Sequence, residues 1–327
     1  MNPSQLFPLT LPALPSSFFR TSKRFFLHLQ ILLLGILTAL AGYTANDSEQ
    51  FRASTIVHQE KSLYRNILVA EGDGYRCLKF GRIHARQTCI EIANPARMVL
   101  NYTQALLTGL YVTDTPPRRV LVLGLGGGVI PRALRSLDGG IEIDAVELDP
   151  AVVRVAQSHF GHREDARLRS HVDDARVFVR KQRRLDTRYD LIIVDAFDKD
   201  YIPEHLLTRE FLEELKTLLN PGGAVAANTF AEGALTRYEA ATYQAVFGEI
   251  FNLDTDNGNR IILARRGQLP TPAFMRDRAA SLAAGFSSVG ASAADLLSRI
   301  RPVPKATDVR VLTDQFSPAN LLLQQTQ

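Results

Sequence analysis

The run Val120–Gly128, Val-Leu-Val-Leu-Gly-Leu-Gly-Gly-Gly, constrains this chain more than any other stretch. A short apolar segment without a polar break reads as a strand buried on both faces, the kind a parallel sheet requires. The glycines after it let the backbone turn tightly and let a ligand approach the main chain. Ile130–Leu137 then reads as a helix, whose N-terminus carries a partial positive charge. A second strand pattern over Ile141–Val146 ends on Glu147, 23 residues past Gly124. A carboxylate at that spacing can accept two hydrogen bonds from ribose hydroxyls. The alternative, a tight turn with no ligand, leaves that acid unexplained. Val129 breaks the nicotinamide fingerprint, which needs Gly or Ala there. No Gly-Lys-Ser/Thr follows, so a nucleoside-triphosphate loop does not fit either.

The alternation continues along the chain. Strands are expected at 168–172, 191–194, 224–228 and 260–264. Helices are expected at 150–160, 175–184, 205–219 and 234–247. The third helix should stop at Asn-Pro-Gly-Gly, 220–223. Strands alternating with helices predict an α/β, Rossmann-like fold with a doubly wound, mainly parallel sheet. Residues 53–112 differ: strand-like pieces with turns at Gly72–Gly74 and Gly81, then a helix around 95–110, suggest a small β-rich domain. The catalytic domain would span 113–266. Residues 267–327 would form a C-terminal extension, with helices near 272–284 and 292–300 and a tail containing Val309–Asp314.

Residues 1–50 read as a leader. Arg20, Lys23 and Arg24 precede Phe25–Tyr43, whose uninterrupted apolar part covers only Ile31–Gly42. A bilayer span needs about 20 apolar residues, so 25–43 is a marginal membrane anchor, a signal-peptide core or a buried helix. Anchor or signal is the favoured expectation, with a membrane-associated protein following from the anchor and export or a cytoplasmic location from the alternatives. Basic residues before the segment place the rest of the chain outside the cytoplasm, in tension with a cytosolic nucleoside ligand. Cys77 and Cys89 lie on two runs that read as a hairpin turning near Arg82–His84, so they could face each other. They would pair in an oxidising compartment and sit as small core residues in a reducing one.

Asp174, just before a predicted helix, can cap it or accept from an adenine amino group; the two roles are compatible. The seven histidines have no metal-ligand spacing, so no metal is expected. The net charge of +4 comes without a nucleic-acid-binding signature, so no nucleic-acid partner is expected.

Together these pieces resemble the spermidine synthase (polyamine aminopropyltransferase) family, on the class I S-adenosylmethionine-dependent methyltransferase fold. The matching segments are 120–132, Val146–Pro150, His171–Phe178, Tyr189–Asp198, Leu219–Gly223 and, in the small domain, Ser62–Val69. Leu312–Ala319 resembles the closing segment of a membrane-fused branch. The resemblance implies that Gly124, Gly126, Gly127 and Gly128 cradle the sulfonium arm of the donor. It implies that Glu147 holds its ribose and Asp174 its adenine edge. Asp195 and Asp198 would be the acidic pair at the amine acceptor, with Tyr102 and Gln104 beside it. The donor would be decarboxylated S-adenosylmethionine or S-adenosylmethionine, and the acceptor a small-molecule amine; a homo-oligomer is also implied. Three departures stand out. Gly127 replaces an acid that contacts the donor's amine, Arg65 replaces a glutamine, and 94–104 lacks the acidic polyamine grip. A methyltransferase using the intact donor, and a non-catalytic membrane-tethered nucleoside-binding module, are therefore the alternative readings.

Overall fold

The structure is a computed structural model that describes residues 55–81, 86–197 and 202–324. The expected leader and membrane segment 25–43, the turn at 82–84 and Asp198 lie outside the described residues. Among the described residues no helix is long and apolar enough to cross a membrane.

Four antiparallel strands come first: β1 (Thr55–Lys61), β2 (Asn66–Gly72), β3 (Tyr75–Phe80) and β4 (Arg86–Glu91), paired in sequence order. Cys77 faces Cys89 across β3 and β4, and the two form a disulfide. The sequence arithmetic had placed them opposite each other; the bonded pair is the outcome. Two short helices follow, α1 (Asn101–Leu106) and α2 (Gly109–Val112), where one helix over 95–110 was expected. The helix breaks at Leu107–Thr108, and Gly109 lets α2 press on Leu191 and Ala226, which a side chain there would strike. Both helices were grouped with the small sheet on sequence, yet Leu106 and Tyr111 share a core with Val120 and Val122 of the larger one.

The larger sheet is built from β5 (Arg119–Leu123), α3 (Val129–Leu137), β6 (Glu142–Glu147), α4 (Pro150–His159), β7 (Leu168–Val172), α5 (Ala175–Arg184), β8 (Tyr189–Val194), a 3-10 turn at Glu204–Leu206, α6 (Arg209–Leu218), β9 (Leu219–Phe230), α7 (Leu235–Phe247), β10 (Phe251–Asp254) and β11 (Asn259–Arg265). After α8 (Pro272–Ser288) and α9 (Ala293–Arg299), β12 (Arg301–Pro302) joins its edge, and α10 (Ala319–Gln324) ends the described chain. Strand order is β12-β10-β11-β9-β8-β5-β6-β7. Strands β5 to β9 are parallel, and β10 to β12 add antiparallel pairs.

Two departures from the sequence pattern have local causes. The helix expected at 205–219 divides because the Thr208 hydroxyl accepts from Phe211 N–H and starts α6 anew. Asn-Pro-Gly-Gly does end that helix, but the four residues are taken into β9, where Gly222 at φ +74° absorbs the turn. Strand β10 was not foreseen, and Val309–Asp314 runs as a tail with only a Thr313–Phe316 bridge.

Apolar residues pack on both faces of the sheet, as buried parallel strands demand. Leu121, Leu123 and Ile192 meet α5, α6 and α7 through Phe178, Phe211 and Tyr243. On the other face Val120 and Ile193 meet Leu134 and Phe286. Ile67, Val69, Leu78 and Ile90 of the small sheet pack on Val152, Val155 and Phe160. The small sheet therefore covers α4 from its first turn to its C-cap, and the first residue of α3, Val129, next to the glycine turn.

The C-terminal tail is fixed by charge. Arg176, 6% exposed, donates to both carboxylate oxygens of Asp314 at 2.7 and 2.8 Å and also pairs with Glu214. Thr208 donates to the same aspartate. Removing one partner of a buried pair strands the other. The partly exposed position of Asp314 softens that cost. Asp314→Asn is expected to lose about 2 kcal/mol of stability, read as a lowered thermal midpoint; an unchanged midpoint would show the tail to be loosely held.

Candidate active site

The carboxyl ends of the parallel strands converge at the point where strand order reverses, between β5 and β8. That crevice is where open α/β sheets bind ligands. Gly124 closes β5 there at φ +98°, its N–H donating to Val146 O at 2.8 Å. A Cβ at Gly124 would collide with the Asp195 carbonyl, so only glycine lets the two strand ends come together. The turn ends on Gly128, left-handed at φ +72°, as the N-cap of α3.

Glu147, at the tip of β6, folds back over this turn. Its Oε2 accepts from Leu125 N–H at 3.2 Å and Gly126 N–H at 3.4 Å, and its Oε1 from Asp149 N–H at 3.1 Å. Burial raises its pKa, while these N–H groups and the positive charge of Arg65 oppose the rise. The carboxylate thus faces the bend, as the sequence reading required. Asp149 caps α4 through Ala151 N–H, and its other oxygen accepts from Ser62, tying the β1–β2 turn to the larger sheet.

Asp174 performs the expected cap. Its Oδ1 accepts from Arg176 and Val177 N–H, while Oδ2 lies 3.1 Å from His205 Nε2. The His205 hydrogen bond leads the causes that lower its pKa. His205 was not foreseen as a partner for Asp174.

Asp195 follows β8 directly, its N–H donating to Leu123 O at 2.7 Å. The carboxylate is half-buried, and its Oδ1 accepts from Asn228 Nδ2 at 2.9 Å. Loss of solvation pushes its pKa up to about 6; Asn228 lowers it and the nearby Glu147 charge raises it. Among the described residues no cation pairs with Asp195. Its expected companion Asp198 lies outside them.

Tyr102 and Gln104 take different partners. Two residues apart on α1, they point in different directions. The Tyr102 phenol is close enough to Asp195 for that charge, with burial, to raise its pKa, and it donates to Gln87 O at 2.7 Å. The Gln104 amide donates to Met98 O at 2.8 Å.

Gly127 is packed shut. Its N–H donates to Thr88 Oγ1 at 3.0 Å, and a Cβ there would strike the Thr88 methyl at 2.5 Å and the Phe160 ring at 3.1 Å. Thr88 and Asn228 are the site neighbours that sequence reasoning missed. Asn228 did carry a signal, being the polar end of an otherwise apolar strand. Among the described residues no cluster of acids, histidines or cysteines could hold a metal ion.

Residues 100–256 match the spermine/spermidine synthase domain. The chain is 40% identical over 276 residues to the polyamine aminopropyltransferase of Vibrio vulnificus, covering 82% of this chain and 92% of that one. A probable spermidine synthase from Corynebacterium glutamicum shares the fold at TM-score 0.64 and 19% identity, over 80% of this chain and 97% of that one. A spermidine synthase solved with the transition-state analogue AdoDATO superposes at TM-score 0.54 and 20% identity, over 65% and 74% of the two chains. The glycine turn, the carboxylate closing over it and a Vibrio relative aligned along nearly its whole length place this chain in the polyamine aminopropyltransferase (spermidine synthase) family.

Proposed function

We propose that the protein is a transferase that moves an aminopropyl group from decarboxylated S-adenosylmethionine to a small aliphatic amine. The observation that carries this reading is the pairing of two carboxylates at one switch point: Glu147 over the glycine turn, and Asp195, without a cationic partner among the described residues, on the other side of β5. Glu147 and the turn take the donor's ribose and sulfonium arm, with Asp174 at the adenine edge. Asp195 attracts the acceptor ammonium and accepts its proton. The freed nitrogen lone pair attacks the carbon attached to sulfur. The C–N bond forms as the C–S bond breaks, and methylthioadenosine leaves with the bond's electron pair. Positioning supplies most of the rate in such an in-line displacement. Asp198 would hold the acceptor's second charge, with Tyr102 walling the amine side. No metal or nucleic acid enters the scheme.

The test is turnover of the purified protein with decarboxylated S-adenosylmethionine and a short diamine, read as methylthioadenosine formed. Intact S-adenosylmethionine serves as the competing donor. One observation favours a methyltransferase as the second reading. Thr88 and Phe160 fill the space beside Gly127, leaving no room for the acid that the family places against the donor's amine. Product S-adenosylhomocysteine from the intact donor would establish that reading. Folded protein binding neither donor would favour a non-catalytic module.

Protonated Asp195 cannot act as a base. With its pKa near 6, kcat/KM is expected to fall about tenfold per pH unit below that value and to level off above it. An acid limb centred near 4 would mean that burial does not raise the Asp195 carboxyl, whose ordinary value is 3.8.

We also propose that residues 25–43 attach the protein to a membrane, tested by fractionating full-length protein against a variant starting at residue 51. Self-association through the edge strand β1, where Ile56 and Val57 are exposed, is the proposed route to an oligomer. Light scattering of an Ile56→Lys variant tests it.

A further inference from the structure

Asn228 lies near the end of β9, one residue past Ala227, which pairs with Val194 of β8. That register sets Asn228 level with Asp195. Asn228 is 6% exposed, and both ends of its amide are used. Nδ2 donates to Asp195 Oδ1 at 2.9 Å, and Oδ1 accepts from Asn259 Nδ2 at 3.0 Å. Asn259 opens β11 and is held at its backbone. Its carbonyl accepts from Thr255 N–H at 2.7 Å and from the Thr255 hydroxyl at 3.1 Å, and its own N–H points at that hydroxyl at 3.2 Å.

An amide side chain can rotate by half a turn and present oxygen where nitrogen was. In this arrangement the ionised Asp195 carboxylate, which can only accept, turns the Asn228 NH2 toward itself, and the Asn259 NH2 donates to the Asn228 oxygen left behind. A flipped Asn228 would set oxygen against oxygen at Asp195 and nitrogen against nitrogen at Asn259. The chain Thr255–Asn259–Asn228–Asp195 therefore has one sense. It anchors Oδ1 of Asp195, while Oδ2 has no hydrogen-bond partner among the described residues.

We propose that Asn228, held by Asn259, is the positioning residue that fixes the Asp195 carboxylate with its second oxygen aimed at the acceptor amine. This rests on the aminopropyl-transfer reading for what Asp195 does, but the geometry stands without it. The charged groups facing Asp195 come from other elements: Glu147 from β6 disfavours its anion, and the Tyr102 phenol from α1 feels the same charge. Asn228 is the side-chain donor that steadies the anion against both burial and Glu147. A donor to a carboxylate favours its charged form.

The informative variant is Asn228→Asp, nearly identical in shape but with no donor at neutral pH and with a like charge. It is expected to move the acid limb of kcat/KM upward by one pH unit or more. At pH 7 kcat/KM should fall about twofold for a one-unit shift and about tenfold for a two-unit shift, with methylthioadenosine affinity within about twofold of the parent. Asn259→Ala should shift the limb the same way by less. Because Asn259 acts through Asn228, the pair Asn228→Ala/Asn259→Ala should be no worse than Asn228→Ala alone. An unmoved limb in Asn228→Asp, or additive losses in the pair, overturns the proposal. A second readout does not need turnover. Carboxyl-carbon NMR of ligand-free protein, with the Asp195 signal assigned by its loss in Asp195→Asn, should show Asp195 titrating higher in Asn228→Asp. If the parent transfers nothing, the functional reading fails while the NMR arm still decides this inference. Asn259→Ala, at a half-buried strand start, provides the same comparison should Asn228→Asp not fold.

Discussion

Asp195→Asn is expected to slow amine transfer by about 10²–10⁴-fold, the range a positioned base supplies, while methylthioadenosine binds as it does to the parent. The fold should tolerate the change. A carboxyl whose pKa rises from 3.8 to about 6 on folding binds its proton more tightly in the native state. Its ionised form therefore weighs against folding above pH 6, and that penalty fades as the pH falls from 6 toward 4. A neutral amide of the same shape escapes it, so Asp195→Asn should melt no lower than the parent at pH 7. Asn228 can still offer an NH2 to the new carbonyl oxygen. Low activity, undiminished melting and retained product binding together mark a chemical role. Transfer at the parent rate would remove Asp195 from the mechanism.

Glu147→Gln is expected to act on binding. A carboxylate that accepts two ribose hydroxyls makes charge-assisted bonds of about 1.5–3 kcal/mol each. The amide keeps one acceptor and turns a donor either toward the N–H groups of Leu125 and Gly126 or toward that of Asp149, all of which already point at it. Donor and methylthioadenosine affinities should both fall on the order of 10²-fold. The rate at saturating donor should change far less, since the group does not touch the reacting carbon. Calorimetry with methylthioadenosine reads the first effect and saturation kinetics the second. A variant that binds product normally but turns over slowly would move Glu147 from the ribose to the chemistry.

The parts of the site that were legible in the sequence are those set by local pattern. An apolar run, a glycine turn and an acid at the next strand's end are contiguous features, and β5 and β8 end where their apolar runs end. Asp195 was visible for the same reason. Asn228 was not, because its meaning comes from strand register: only pairing β9 with β8 and β11 brings it between Asp195 and Asn259. His205 reaches Asp174 across 31 residues and the 3-10 turn, which no periodicity encodes. Strand β10 has four residues, too short for alternation to register. Tyr102 and Gln104 take separate partners because a helix turns residues at that spacing to different sides. The cysteine positions were readable from the hairpin midpoint, whereas the bond between them depends on redox surroundings that composition does not report.

The Arg176–Asp314 contact joins residues 138 apart in sequence. Arg176 starts the helix that Asp174 caps, and its N–H is one of the two that Asp174 holds. During synthesis the ribosome delivers this arginine long before the aspartate that neutralises it. Glu214 arrives first and offers provisional compensation. The start of this helix, and with it the Asp174 cap proposed to meet the adenine, is therefore fully braced only once residue 314 has emerged, so prematurely terminated chains ending before it should hold that cap less firmly.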